Sequence, residues 1–156
     1  MNRLNQFKAR GFTLIEVMVV VVILGILAAM VVPKIMSRPD QAKIVRAQQD
    51  IQAIQSALDL YKLDNGFYPT TDQGLQSLVS KPSSPPVPQN WKDGGYLQQL
   101  PQDPWGNPYH YLYPGTHNPS GADIFTYGPT NQPGGSGENA TIGNWTAPAA
   151  ASGSSS

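Results

Sequence analysis

Residues 11–33 read "GFTLIEVMVVVVILGILAAMVVP", and the rest of the chain is interpreted outward from this stretch. From Phe12 to Val32 every side chain is apolar or uncharged except Glu16. About 21 residues, at roughly 1.5 Å rise each, cross a hydrocarbon core about 30 Å thick, so 12–32 is expected to be a transmembrane helix. An ionised carboxylate inside such a span costs roughly 2.5–3.5 kcal/mol even on the most lenient insertion scale. A plain anchor gains nothing from it, so Glu16 calls for a partner.

The residues before the span, "MNRLNQFKARG" (1–11), carry Arg3, Lys8 and Arg10 and no acid. A secretory signal would predict a small-x-small cleavage site after the apolar run. The sequence there is "ILAAMVVPK", a poor match, and Glu16 would interrupt the apolar core. Cleavage between Gly11 and Phe12 accounts for more. It removes the cationic leader and creates an ammonium at Phe12. In an assembly, the ammonium of one subunit would meet Glu16 of its neighbour, neutralising two charges that are each costly alone. Glu16 would then set the register of helix stacking. Lys34, Arg38, Lys43 and Arg46 follow the span, so charge counting balances across it. The shortness of the leader favours a cytoplasmic amino terminus.

The 156 residues bound the chain at one modest domain. Cysteine is absent, which excludes disulfides, thiolate zinc sites and lipid attachment through cysteine. Ten basic residues balance ten acidic ones, and without the leader seven bases face ten acids. No basic stripe with interleaved aromatics is present, so a nucleic-acid partner is not expected. His110 and His117 are seven residues apart across a turn, with no nucleophile or metal-ligand companion. They read as strand or surface histidines. No glycine loop precedes a helix to cradle phosphate. The chain is not expected to be an enzyme. "NAT" (139–141) and "NWT" (144–146) match the glycosylation sequon, a pattern too short to carry weight.

Pro33 and Pro39 predict a kink or local unwinding over residues 33–39, with Pro39 in the first turn of a new helix and Asp40 against its dipole. Ile44, Ala47, Ile51, Ile54, Leu58 and Tyr61 then recur at spacings of 3, 4, 3, 4 and 3. That is an amphipathic helix, and its stripe reads as a core face, with an assembly seam as the alternative. "DNG" closes the kinked continuation (33–65), with Gly66 as its left-handed cap. A globular domain follows over 66–146. "TTDQGLQSLVSKP" (70–82) reads as a short second helix. Residues 82–108 form a loop pinned by Trp91, Tyr96, Leu97 and Leu100. "YHYLYPG" (109–115), "DIFTYGP" (123–129) and "TIGNW" (141–145) read as strands. "APAAASGSSS" (147–156) is low-complexity and expected to be disordered. The fold class is α+β, a long amino-terminal helix packed on a small antiparallel sheet.

"RGFTLIEVMVVVVILGILAAMVVP" resembles the class III leader and first helix shared by type IV pilins and type II secretion pseudopilins. "DLYKLDNGFYPTTDQGLQSLVSKP", "GYLQQLPQDPWGNPYHYLYPG", "DIFTYGP" and "IGNW" resemble one branch, the major pseudopilins (G subunits) of type II secretion systems, as far as about Thr146. The resemblance implies a type IV pilin-like fold and a single-pass protein of the bacterial inner membrane, with its carboxy-terminal domain in the periplasm. It implies cleavage and N-methylation by a prepilin peptidase, then growth into a homopolymer that helps drive folded proteins across the outer membrane. Minor pseudopilins and the inner-membrane assembly platform are the implied partners. Carried over, Gly11 precedes the cut, Phe12 is the methylated terminus, and Glu16 is the assembly glutamate. Gly25 and Pro33 lie where the helix loosens in such filaments. A type IV or competence-type pilin for adhesion or DNA uptake is the alternative. The lack of cysteine counts against it, because many such pilins close a carboxy-terminal loop with a disulfide. A membrane-anchored binding module that does not polymerise would need neither Glu16 nor the Gly11–Phe12 junction.

The resemblance also implies one calcium ion in the carboxy-terminal loop, held by acids after an "LGxDG" turn and before "IGNW". Here those places read "YGPTNQ" (127–132) and "ENATIGNW" (138–145), with Thr130 and Thr141 at the acid positions. Calcium takes six to eight oxygens and gains affinity from carboxylate charge. Between Gly128 and Trp145 Glu138 is the lone acid, and Tyr127, Thr130, Asn139 and Thr141 are the other candidate donors. No cofactor is expected. The loop should instead rely on packing by Tyr127, Ile142 and Trp145, with Pro129 and Pro133 restricting the unfolded chain.

Overall fold

The computed structural model describes residues 11–147, with the backbone alone for residues 30–38. The leader expected over 1–11, Gly11 apart, and the tail beyond Ala147 lie outside the described residues. The chain divides into two units, Met1–Arg38 and Pro39–Ser156.

Helix α1 runs from Leu14 to Asn65. Its backbone is helical through Pro33 and Pro39, so the expected unwinding over 33–39 and the fresh helix start at Pro39 are not found. Each proline deletes one hydrogen bond of the ladder. The bonds on either side span the gap, and Gln41, Ala42 and Lys43 propagate the helix well. The end of α1 is as expected. Gly66 takes φ +84°, and its N–H donates to the Lys62 carbonyl at 2.7 Å, the left-handed cap that a side chain with a Cβ adopts poorly.

In the second unit the amphipathic stripe is core. Ala47, Ile51, Ile54, Leu58 and Tyr61 are buried, with Ala57 beside them, against Leu75, Leu78, Tyr109, Ile124 and Ile142. Trp91, Tyr96, Leu97 and Leu100 pack on the edge of this cluster. The expected second helix shrinks to a four-residue 3-10 turn, Leu75–Leu78. Gly74, at φ 62° and ψ −171°, cannot enter an α-helix. The carbonyls a longer helix would need are already taken: Ser77 accepts from the Trp91 indole at 2.9 Å. Leu78 accepts from the N–H groups of Tyr96 and Leu97 at 2.7 and 3.1 Å.

Strands β1 (His110–Leu112), β2 (Asp123–Thr126) and β3 (Ile142–Gly143) form an antiparallel sheet in the order β1-β2-β3. His110 pairs with Phe125, Tyr111 with Ile124, and Phe125 with Gly143. Alternation along β2 sends Ile124 into the core beneath α1 and Phe125 to the other side. The architecture is the expected α+β.

Candidate functional site

Thr13 caps α1. Its hydroxyl accepts from the Glu16 N–H at 3.3 Å, and its carbonyl accepts from the N–H groups of Glu16 and Val17 at 3.1 and 3.3 Å. Thr13 and Glu16 thus stand at the cap and third helical positions, the spacing of a capping box, with the acid at the positive end of the helix dipole. Sequence reasoning missed this role for Glu16, although "TLIE" carried it. Glu16 is exposed and, among the described residues, makes no ion pair.

The apolar residues on either side of it are uncovered in the monomer: Phe12 is 80% exposed, Leu14 82%, and the series continues through Leu27. Among the described residues, no helix is long and apolar enough to cross a membrane. The sequence run continues past Ala29 into residues whose side chains are not described. A Cβ at Gly25 would meet nothing within 4 Å. Packing within the chain therefore does not demand this glycine, which costs a helix about 1 kcal/mol relative to alanine.

The second candidate region is the carboxy-terminal loop. It leaves β2 through 3-10 turns at Gly128–Thr130 and Gly137–Asn139 and returns at β3. Thr130 donates to the Gln132 carbonyl at 3.5 Å, and Glu138 and Asn139 are exposed. Tyr127 packs on His110 and Phe125, with ring centroids 4.7 and 5.3 Å apart. Thr141 is half-buried beside that aromatic face. Among the described residues, no group of three or more His, Cys, Asp or Glu side chains could hold a metal. This donor set does not fit a carboxylate-built calcium site.

The polar anchors lie elsewhere. Buried Asp103 accepts from the N–H groups of Trp105 and Asn107 at 3.1 and 2.8 Å and from the hydroxyl of Thr126. Buried Asp123 accepts from the N–H groups of Thr116, His117 and Asn118 at 2.8, 2.8 and 3.0 Å. Burial alone would raise its pKa, but these bonds and the His117 imidazole outweigh burial and leave it lowered. The His117 Nδ1 lies 3.2 Å from Asp123, and its ring stacks on Trp145 at 3.8 Å and 2°. Neither histidine is idle, since His110 stacks on Phe125 at 5.1 Å. Nothing in the local sequence around His117 announces a partner six residues along and another across the sheet.

The family described as "Type II secretion system (T2SS), protein G" matches residues 34–145, and the one described as the "Prokaryotic N-terminal methylation motif" matches 6–32. The chain belongs to the protein G family of type II secretion systems. It is 62% identical over 142 residues to the type II secretion system core protein G of Pseudomonas aeruginosa, covering 91% of this chain and 99% of that one. Identity to the core protein G of Vibrio cholerae is 56% over 138 residues, covering 88% and 92%. Among solved structures, it is similar to the major pseudopilin from the type 2 secretion system of enterohaemorrhagic Escherichia coli. That likeness has a TM-score of 0.62 and 46% identity, and covers 70% of this chain and 92% of the other. These relatives support the major-pseudopilin reading and do not favour the pilin alternative. The family is one of structural subunits.

Proposed function

We propose that this protein is the major subunit of a type II secretion pseudopilus. A prepilin peptidase cleaves it between Gly11 and Phe12 on the cytoplasmic side and methylates Phe12. The subunit waits in the inner membrane as a single-pass protein with its carboxy-terminal domain in the periplasm. It then polymerises, with Phe12 of one subunit meeting Glu16 of the next, and the growing filament drives folded proteins across the outer membrane. Minor pseudopilins and the inner-membrane assembly platform are its partners. Gly25, Pro33 and Pro39 give the helix the slack to rearrange when it leaves lipid for the filament. The protein does no chemistry of its own.

The observation that carries this reading is the uncovered apolar surface from Phe12 to Leu27, holding, five residues after Gly11, one carboxylate that makes no ion pair among the described residues. Lipid or neighbouring helices supply the cover, and a neighbour's amino terminus supplies the charge.

Intact mass of the membrane-extracted protein tests the processing, with loss of residues 1–11 and gain of one methyl group expected. A deletion strain tests the role. Loss of extracellular enzymes is expected, and loss of twitching or DNA uptake with secretion intact would overturn the assignment.

A further inference from the structure

We infer that the carboxy-terminal loop is closed by a side-chain clasp, with His117 held between Asp123 and Trp145, and that the periplasmic domain therefore keeps its fold without calcium. A cation in a loop of this kind draws its two ends together through shared oxygen ligands. Here protein groups already tie both ends. The outgoing end is fixed at Thr126, whose hydroxyl donates to buried Asp103 and accepts from the Gly128 N–H at 3.1 Å.

The returning end is fixed three ways. The Asn144 N–H donates to the Ile124 carbonyl at 3.0 Å, and its side-chain amide donates to Ala122 and Gln55 at 2.8 and 2.9 Å. Thr146 closes the turn, its hydroxyl donating to the Gly143 carbonyl at 2.7 Å. Trp145 then reaches across to the β1–β2 connection. One face of its indole stacks on His117. The ring also lies so close to Gly143 that a Cβ there would fall 2.5 Å from it, so any larger residue at 143 would displace the indole.

His117 does not float on this ring. Its backbone N–H and its Nδ1 both engage Asp123, whose charge is also bound by the N–H groups of Thr116 and Asn118. The carboxylate is 1% exposed. The pieces connect without a gap: Gly143 against Trp145, Trp145 against His117, His117 against Asp123, and Asp123 against the backbone of the β1–β2 connection. The loop between these anchors keeps Glu138 as its lone acid, and Glu138 points to solvent.

The test uses the full-length protein extracted in detergent, assayed with excess calcium and with a chelator. Thermal unfolding and limited proteolysis with mass-spectrometric mapping of residues 128–141 are the readouts. The unmodified protein should give the same melting temperature and cleavage rate in both conditions. His117→Ala should speed cleavage inside the loop about tenfold in both, because proteolysis follows the population of the open state. His117→Tyr keeps a ring against Trp145 but lacks the Nδ1, and should fall between the two. It also serves as the readout should His117→Ala fail to accumulate. A melting temperature that drops on chelation would overturn the inference in favour of an ion. A His117→Ala or His117→Tyr protein cleaved no faster than the parent would overturn the clasp.

Discussion

Two stretches of the same helix, Leu14–Leu27 and Ala47–Tyr61, are both rich in apolar residues, and they meet opposite fates. In the first, every large hydrophobic residue is about half exposed or more; in the second, Ala47, Ile54, Leu58 and Tyr61 have no exposed surface at all. The difference is periodicity. Between Ala47 and Tyr61, apolar residues return every three or four positions with Gln48, Gln49, Gln52 and Gln55 between them, so one face suffices and a small domain can cover it. Leu14–Leu27, Glu16 apart, is apolar all round. No domain can cover it from one side, so its surroundings must be apolar on every side, as lipid or a bundle of like helices is.

The largest effects should come from breaking the exposed stretch at its start. Replacing Gly11 with leucine should leave the precursor uncut, and intact mass would show the leader retained and no filaments formed. Normal processing in that variant would remove the cleavage assignment. Glu16→Val should enter membranes as well as the parent or better, since it removes a charge costing roughly 2.5–3.5 kcal/mol there, yet assemble poorly. Glu16→Gln sharpens the point, because glutamine preserves the capping-box geometry with Thr13 and discards only the charge. Normal filament yield from the glutamine variant would show that Glu16 acts through the helix cap and not through register.

The covered stretch should respond in stability. Leu58→Asp places an unpaired carboxylate at a fully buried position and should destabilise the domain by several kcal/mol. Thermal unfolding of the full-length variant would read it. A variant that melts like the parent but fails to polymerise would turn this stripe from core into assembly seam.

How much of this was legible follows the same division. The stripe and the three strands were readable because each is a local rhythm: a 3–4 spacing, an alternation. The second helix was misread because "LQSLV" has helical spacing, while Gly74 and the claims of Trp91, Tyr96 and Leu97 on its carbonyls come from the backbone path and from residues further along. The prolines at 33 and 39 point to a kink or local unwinding, and of these the unwinding is not found, since the backbone stays helical through both. The polar anchors were invisible. Tyr109 donates to Asp50 from 59 residues away, and Thr126 to Asp103 from 23 away, and no local pattern marks either pair. The helix cap at Thr13 is local and legible in "TLIE", the spacing of a capping box.

Asp123 separates the loop from the core by its response to pH. Its pKa in the folded protein is lowered, so the stability it contributes is complete above the unfolded value of about 3.9 and is lost as pH falls through that value towards the folded one. Asp123→Asn should cost about 2–3 kcal/mol at neutral pH, the scale of one charge-assisted bond. The gap in melting temperature between parent and variant should close as pH is lowered through 3.9. A gap that stays constant with pH would mean that the carboxylate acts by shape and not by charge.

The smallest effect should have the opposite sign. Tyr61 lies at the centre of the covered stripe with no exposed surface, and its hydroxyl has no hydrogen-bond partner among the described residues. Burial, with Tyr96 nearby, pushes its pKa up to about 12. The ring itself is well used, packing edge-on against Phe67 at 6.2 Å and tilted against Tyr96 at 5.3 Å. A buried hydroxyl without a partner forfeits its bonds to water, a penalty of about 1–3 kcal/mol. Tyr61→Phe keeps the ring contacts and removes the penalty, so it should stabilise the domain by about 1 kcal/mol and raise the melting temperature by a few degrees. Differential scanning calorimetry of the two full-length proteins would measure it. A loss of stability on removing the hydroxyl would show that Tyr61 has a polar partner in solution, and that the centre of the covered stretch is wetter than its burial implies.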